Sequence, residues 1–301
     1  EAGFFHPATH LYVTSTEGER TGTCTDRKKP CAIDYVFGKT GFTIEDYTAV
    51  HFKANPEVEY PKILIIIDKL VWLVGDGTVL KDSLQFRFLY NDRHIEKNTL
   101  TTVGVQGFTF NDYLVPILHF QVNKMTADVD TQFVIDVRRC NFVEDHCRCL
   151  EVYIDNSSTD NCLDGSCFYN TININVVDCN TTNCDRMADP VDPVAGFFLV
   201  DNRNGVIPVA ACFIQCHFNE NLFHTESNTI DTLAGGCIAV INCYAFCICD
   251  SVFYKNKLIG NKCDCYGGCV YVYNDPDCSH CRYSVIGQST FEANLIDGKT
   301  S

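Results

Sequence analysis

Twenty cysteines in 301 residues constrain this chain more than any other feature. Thiols at that density are a liability in a reducing cytosol, so the expected compartment is oxidising: the secretory pathway, leading outside the cell or to a cell or virion surface. The distribution is uneven. Cys24 and Cys31 stand alone in residues 1–139, and the other 18 follow: Cys140, Cys147, Cys149, Cys162, Cys167, Cys179, Cys184, Cys212, Cys216, Cys237, Cys243, Cys247, Cys249, Cys263, Cys265, Cys269, Cys278 and Cys281. An even count lets every thiol pair, so all twenty are expected in disulfides. Spacing alone assigns only Cys24 with Cys31, isolated together and seven residues apart.

Three Cys-x-Cys pairs (Cys147/Cys149, Cys247/Cys249, Cys263/Cys265) place two sulfurs on one face of an extended strand, from which each can reach a different neighbour. The rival chemistry is zinc, for which Cys243/Cys247 and Cys278/Cys281 have usable spacings. Zinc needs thiolates, which an oxidising compartment consumes, so no metal ligand and no cofactor are expected. Cys278 to Cys281 follows a turn and leads into a strand pattern, unlike a redox pair at a helix N-terminus.

The pattern along the chain is all-β, with little helix. Phe86, Phe88 and Tyr90 alternate with Gln85, Arg87 and Leu89, the period of a half-buried strand. Further strands are expected at 10–14, 33–37, 49–52, 63–67, 107–110, 117–122, 132–137 and 171–177. Hairpins are expected through Gly75-Asp76-Gly77 and through 201–205, and one short helix at 229–234. Residues 1–139 then read as a β-sandwich or jelly-roll-like domain with its own core. Residues 140–190 read as a small Cys-rich module and 191–301 as a Cys-rich β domain. Met187 to Pro193, with two prolines, marks the break. No repeat of fixed period is evident. Trp72, the only tryptophan, is read as a core anchor.

A net charge of −15 disfavours nucleic acid and anionic lipid as partners. The longest apolar run, Lys62 to Val74, is interrupted by Asp68 and Lys69 and is too short to span a bilayer. The opening residues lack a signal-peptide pattern, as expected of a mature chain. Sequons at Asn156 and Asn180 lie in polar stretches and are expected to carry N-linked glycans.

No nucleophile elbow, zinc-protease helix, phosphate loop or dinucleotide fingerprint occurs, and the calcium-like run from Asp160 has Thr171 where a glutamate is needed. No catalytic residue is assigned, and the chain is read as a non-enzyme. Two roles fit: a structural subunit of a self-assembling surface structure or filament, or the receptor-binding ectodomain of a cellular or viral envelope glycoprotein. The apolar ends, Ala2 to Phe5 and 289–296, could each add a strand to a neighbour.

Overall fold

A computed structural model describes residues 7–38, 41–54, 58–94, 100–123, 132–155, 171–203, 207–276 and 283–298. The all-β expectation holds, but every ladder between named strands is parallel. Parallel neighbours cannot be joined by tight hairpins, so the chain must travel around before it pairs with itself. It winds as a β-solenoid, in place of a sandwich or jelly roll.

One rung shows the plan. Thr171–Val177 lies in a long sheet, sheet A; the chain turns a corner into Asn180–Thr182, which continues the same sheet. A second corner leads to Asp185–Met187 in a four-stranded sheet C, and Phe198–Asn202 then forms part of a seven-stranded sheet B. Val209–Ile214 returns to sheet A directly above Thr171–Val177, Ile172 facing Val209. Sheet A runs unbroken past residues 139 and 190, and one buried cluster extends from Leu11 to Cys269. The rung length is not constant. In sheet B Leu118 faces Leu150, Leu150 faces Phe198 and Phe198 faces Ile238.

The core is built from like residues stacked between rungs. Phe218, Phe253 and Phe291 lie face to face with centroids 4.7 and 4.6 Å apart, and Phe88 covers Phe120 at 4.2 Å. That separation is close to the interstrand distance, so alternation along a strand and identity between rungs together fill the interior. Trp72 is 9% exposed and packs against Gly104, but it belongs to neither buried apolar cluster; Val71 and Leu73 beside it face the interior, so Trp72 covers the outer face of sheet A and is not the core anchor expected. Close packing explains Gly196 and Gly236 as well. A Cβ on Gly236 would fall 1.8 Å from the Gly268 carbonyl oxygen, and one on Gly196 would fall 2.2 Å from that of Gly236.

Several local expectations are corrected. Ile33–Val36 is a single helical turn, its ends Ile33 and Val36 buried, and not a strand. Residues 71–81 form one strand, Val71–Lys81, whose ladder to the next rung shifts register between Val74 and Thr78; the Gly-Asp-Gly signal marks a bulge, not a hairpin. Phe198–Asn202 and Val209–Ile214 do not pair as a hairpin, because they belong to different sheets. Within 229–234 the chain forms the strand Thr232–Ala234 and no helix. Among the described residues no helix is long and apolar enough to cross a membrane.

Candidate functional site

Several cysteines, among them Cys140, Cys179, Cys184 and Cys216, occupy corners between strands. Between the two sheet A strands of each rung sits one residue with a left-handed backbone: Arg139, Asp178, Gln215, Asp250 and Gln288. Cys140, Cys179, Cys216, Ser251 and Ser289 follow them in one stacked column. The column is bonded where it turns to serine: Cys216 N–H donates to Ser251 Oγ at 3.1 Å, and Ser251 N–H to Ser289 Oγ at 3.2 Å. A small side chain with a weak or strong polar atom suits this corner, and cysteine supplies both size and apolarity. Burial pushes the Cys179 and Cys237 thiols well above the ordinary range and Cys216 up to about 12, which removes the thiolate a nucleophile needs.

At the second corner a column of Asn221, Asn256 and Asn294 hands side-chain bonds from rung to rung. Asn256 Oδ1 accepts from Asn221 N–H at 3.2 Å and from its Nδ2 at 2.9 Å, and Asn256 Nδ2 donates to Phe218 O at 2.8 Å. Cys184 and Asp145 hold the same place in the preceding rungs: Cys184 N–H donates to Asn221 Oδ1, and Tyr113 N–H donates to Asp145 Oδ1 at 2.9 Å. Each corner satisfies backbone donors that bending removes from the ladders.

Cys24 and Cys31 form a disulfide, as their spacing predicts. None of the fourteen other described cysteines is bridged in this structure, so among the described residues the expected pairing of all twenty is met only by Cys24 and Cys31. Cys212, Cys247 and Cys249 face outward on sheet A, with the Sγ atoms of Cys247 and Cys249 3.1 Å apart, and Cys212 in register with Cys247. Cys162, Cys167, Cys278 and Cys281 lie outside the described residues, as do Asn156 and Ala2 to Phe5. Asn180 begins a strand and is not in a turn; its Nδ2 donates to Asn141 Oδ1 at 2.8 Å.

The densest buried charge surrounds Arg148, 3% exposed. Its Nη1 lies 2.9 Å from Glu151 Oε2 and 2.7 Å from Asp192 Oδ2, and it donates to Tyr153 Oη at 3.0 Å. Nη2 donates to Val194 O. Arg186, 8% exposed, donates to the carbonyls of Asp192, Ala195 and Gly196 and lies over the Phe223 ring at 4.9 Å. The two guanidiniums thus clasp the proline-bearing crossing toward sheet B, whose backbone carbonyls have no ladder. Burial acts to raise the Glu151 carboxyl, but hydrogen bonds from His119 and Arg148 outweigh it and draw it down to about 2. A carboxylate held ionised that strongly is unsuited to general acid work. Burial, then the neighbouring Arg148 charge, lowers Arg186 to about 10.

Among the described residues, histidines that the sequence scatters are brought together once. His10 Nδ1 lies 2.9 Å from His51 Nε2, and His51 stacks on Tyr12 at 4.9 Å. Beside them a depression of about 390 Å³ is lined in part by Arg27 and Asp76. The charges there are not converged on a reacting position.

Sequence reasoning missed the corner columns. Their signal is present: Phe218-x-x-Asn221, Phe253-x-x-Asn256 and Phe291-x-x-Asn294, with Gly-Gly-Cys at 235–237 and again at 267–269. No protein-family model, curated protein or solved structure matches the chain.

Proposed function

We propose that this chain is a non-enzymatic structural glycoprotein of an extracellular, cell or virion surface, exported through the secretory pathway, and that it associates with a second copy of itself through its last rung. One observation carries the reading: the two ends of sheet A differ. At the first rung the sheet closes on a two-residue strand, Cys31–Ala32, tied by the Cys24–Cys31 bridge and continued by the helical turn Ile33–Val36. At the last rung, Tyr283–Gly287, Thr290–Glu292 and Leu295–Asp297 each have a strand partner on one side only among the described residues. There Ile286 is 56% exposed, Phe291 45% and Ile296 50%, although the equivalent residues of earlier rungs are buried. A parallel edge with free N–H and C=O groups and an uncovered apolar interior recruits another strand layer.

A second copy of the chain can supply the covering layer, its own last described rung meeting this one across a two-fold axis. Sedimentation of the full chain tests this, with a dimer expected and a monomer expected for Ile286→Lys combined with Phe291→Glu. Electron microscopy of the same sample should show paired rods. Dispersed monomers of the unsubstituted chain that bind cells would overturn self-association and support the receptor-binding ectodomain.

A further inference from the structure

At the second corner, the column of amides gives way to acid and sulfur. Asp145 is fully buried, and only one of its oxygens has a partner: Oδ1 accepts from Tyr113 N–H, while Oδ2 is buried with none among the described residues. A buried carboxylate oxygen without a donor is costly and calls for a missing partner. Two thiols stand beside it. One ligand atom from each of Asp145, Cys149 and Cys184 lies within 4.8 Å of the other two, and all three residues are buried. Asp145 and Cys149 belong to one rung; Cys184 comes from the next, one step along the column.

These distances suit a tetrahedral ion. With Zn–S of about 2.3 Å and Zn–O of about 2.0–2.2 Å, ligand atoms in a tetrahedron lie about 3.5–3.8 Å apart, so the three atoms need only small side-chain adjustments to close. Cys147, 5% exposed and two residues from both Asp145 and Cys149, lies outside this group of three, and its thiol completes a tetrahedron only by turning toward them when the ion binds. We propose that Asp145, Cys147, Cys149 and Cys184 form a buried structural zinc site that ties two successive rungs together. This site is independent of the self-association proposed above.

The surroundings match the charge of such a centre. Three thiolates and one carboxylate around Zn²⁺ leave two net negative charges, the ligand protons being released to solvent on binding. Arg148 lies between Cys147 and Cys149, and Arg186 two residues beyond Cys184. Arg148 already has Glu151 and Asp192. Arg186 has no carboxylate at hydrogen-bond distance; its nearest, Asp192, is 4.0 Å away. The centre therefore offers countercharge to a buried cation whose other partners are carbonyl oxygens and a ring face. Thiolates already bound to zinc and sealed from solvent are closed to attack by external disulfides, so the site is compatible with an oxidising destination.

The test uses the full chain, produced in zinc-supplemented medium and purified without chelator. Elemental analysis should find one zinc per chain, and replacement by Co²⁺ should give sulfur-to-cobalt charge-transfer absorption with tetrahedral d–d bands. Cys184→Ser and Cys149→Ser should each abolish that spectrum, whereas Cys216→Ser, outside the cluster, should retain it. Asp145→Asn keeps an acceptor for Tyr113 N–H and so guards against simple unfolding. It should weaken zinc at least about tenfold in competition with a chromophoric chelator. A chain without zinc, in which non-reducing peptide mapping links Cys149 to Cys184, overturns the proposal in favour of a disulfide. Zinc that survives both serine substitutions overturns it as well, by placing the metal elsewhere.

Discussion

Replacing Asn256 with alanine tests the corner column directly. Asn256 is 1% exposed, and its side chain makes four hydrogen bonds: from Asn221 N–H and Nδ2, to Phe218 O, and to Asn294 Oδ1 at 3.0 Å. Asn221 Nδ2 keeps a second partner, Thr181 Oγ1 at 2.9 Å, and Asn294 Nδ2 still donates to Phe253 O. One buried backbone group, Asn221 N–H, loses its partner outright, whereas Phe218 C=O loses a second bond and keeps its place in the ladder to Val252–Tyr254. At about 1–3 kcal/mol for the orphaned donor and about 1 kcal/mol for the second bond to Phe218 C=O, the expected loss is about 2–4 kcal/mol. Urea denaturation followed by circular dichroism measures it, and hydrogen exchange localises it, since a solenoid opens rung by rung and its transition need not be two-state. Exchange should quicken in peptides covering 217–224 and leave those covering 84–90 unchanged. The control is Asn261→Ala, which removes exposed bonds to Glu226 O and Asn228 and should cost under about 1 kcal/mol. If Asn256→Ala costs no more than that control, and the 217–224 amides keep their protection, the column does not hold the corners.

Three other perturbations follow from the packing and the charges. Gly236→Ala forces a methyl against the Gly268 carbonyl and should cost more than about 3 kcal/mol or abolish folding; at Gly77, with φ +87° and open space around it, alanine should cost only about 1–2 kcal/mol. Thermal melts of the pair check the difference, and equal losses would refute the close-approach argument. Phe253→Ala removes the middle ring of the three-ring stack and should cost about 3–5 kcal/mol by urea titration. A loss near that of an exposed site would refute the stacking argument. Burial, then the nearby His10 charge, lowers His51 below its ordinary 6.5. The unfolded chain therefore binds the proton more readily, and stability should fall as pH drops through about 6.5. His51→Gln should flatten that decline in urea midpoints measured on either side of this pH; an unchanged slope would exclude His51 as its source.

Strand positions were largely legible in the sequence, because alternation such as that of 85–90 depends only on one buried face. Sheet arrangement was not. Gly75-Asp76-Gly77 signals a reversal in isolation, yet here it bulges a continuous strand whose partner lies about 30 residues away. The rungs escaped detection because the corner columns recur at intervals of 35, 37 and 38 residues between the Phe and Asn positions of successive rungs, and the surplus falls outside the sheets. The cysteines read as disulfide partners throughout, and of the described ones only Cys24 and Cys31 are bridged; the others serve as small, mostly buried side chains, which their density alone does not reveal. Their stacking was not legible, since Cys140, Cys179 and Cys216 meet only once the winding is known. The buried salt links of Arg148 and Arg186 were illegible for the same reason: Asp192, which they share, is remote in sequence from Arg148.

The protected first rung and the open last rung also set a direction for folding. Parallel ladders with partners 18–48 residues apart are slow to nucleate, because a long loop must close before any bond is gained. Residues 24–31 close a short covalent loop at one end, which makes that end the natural seed. Later rungs then lay their side chains on those already in place, Phe142 on Phe110, Phe253 on Phe218 and Phe291 on Phe253, and corner residue on corner residue. The exposed face of the last described rung is the template surface of this process, occupied in turn by each rung as it is laid down. Truncation from the C-terminal side should therefore uncover an equivalent face on a shorter but still folded rod, whereas deletion of residues 9–36 should remove the seed on which the rest is built.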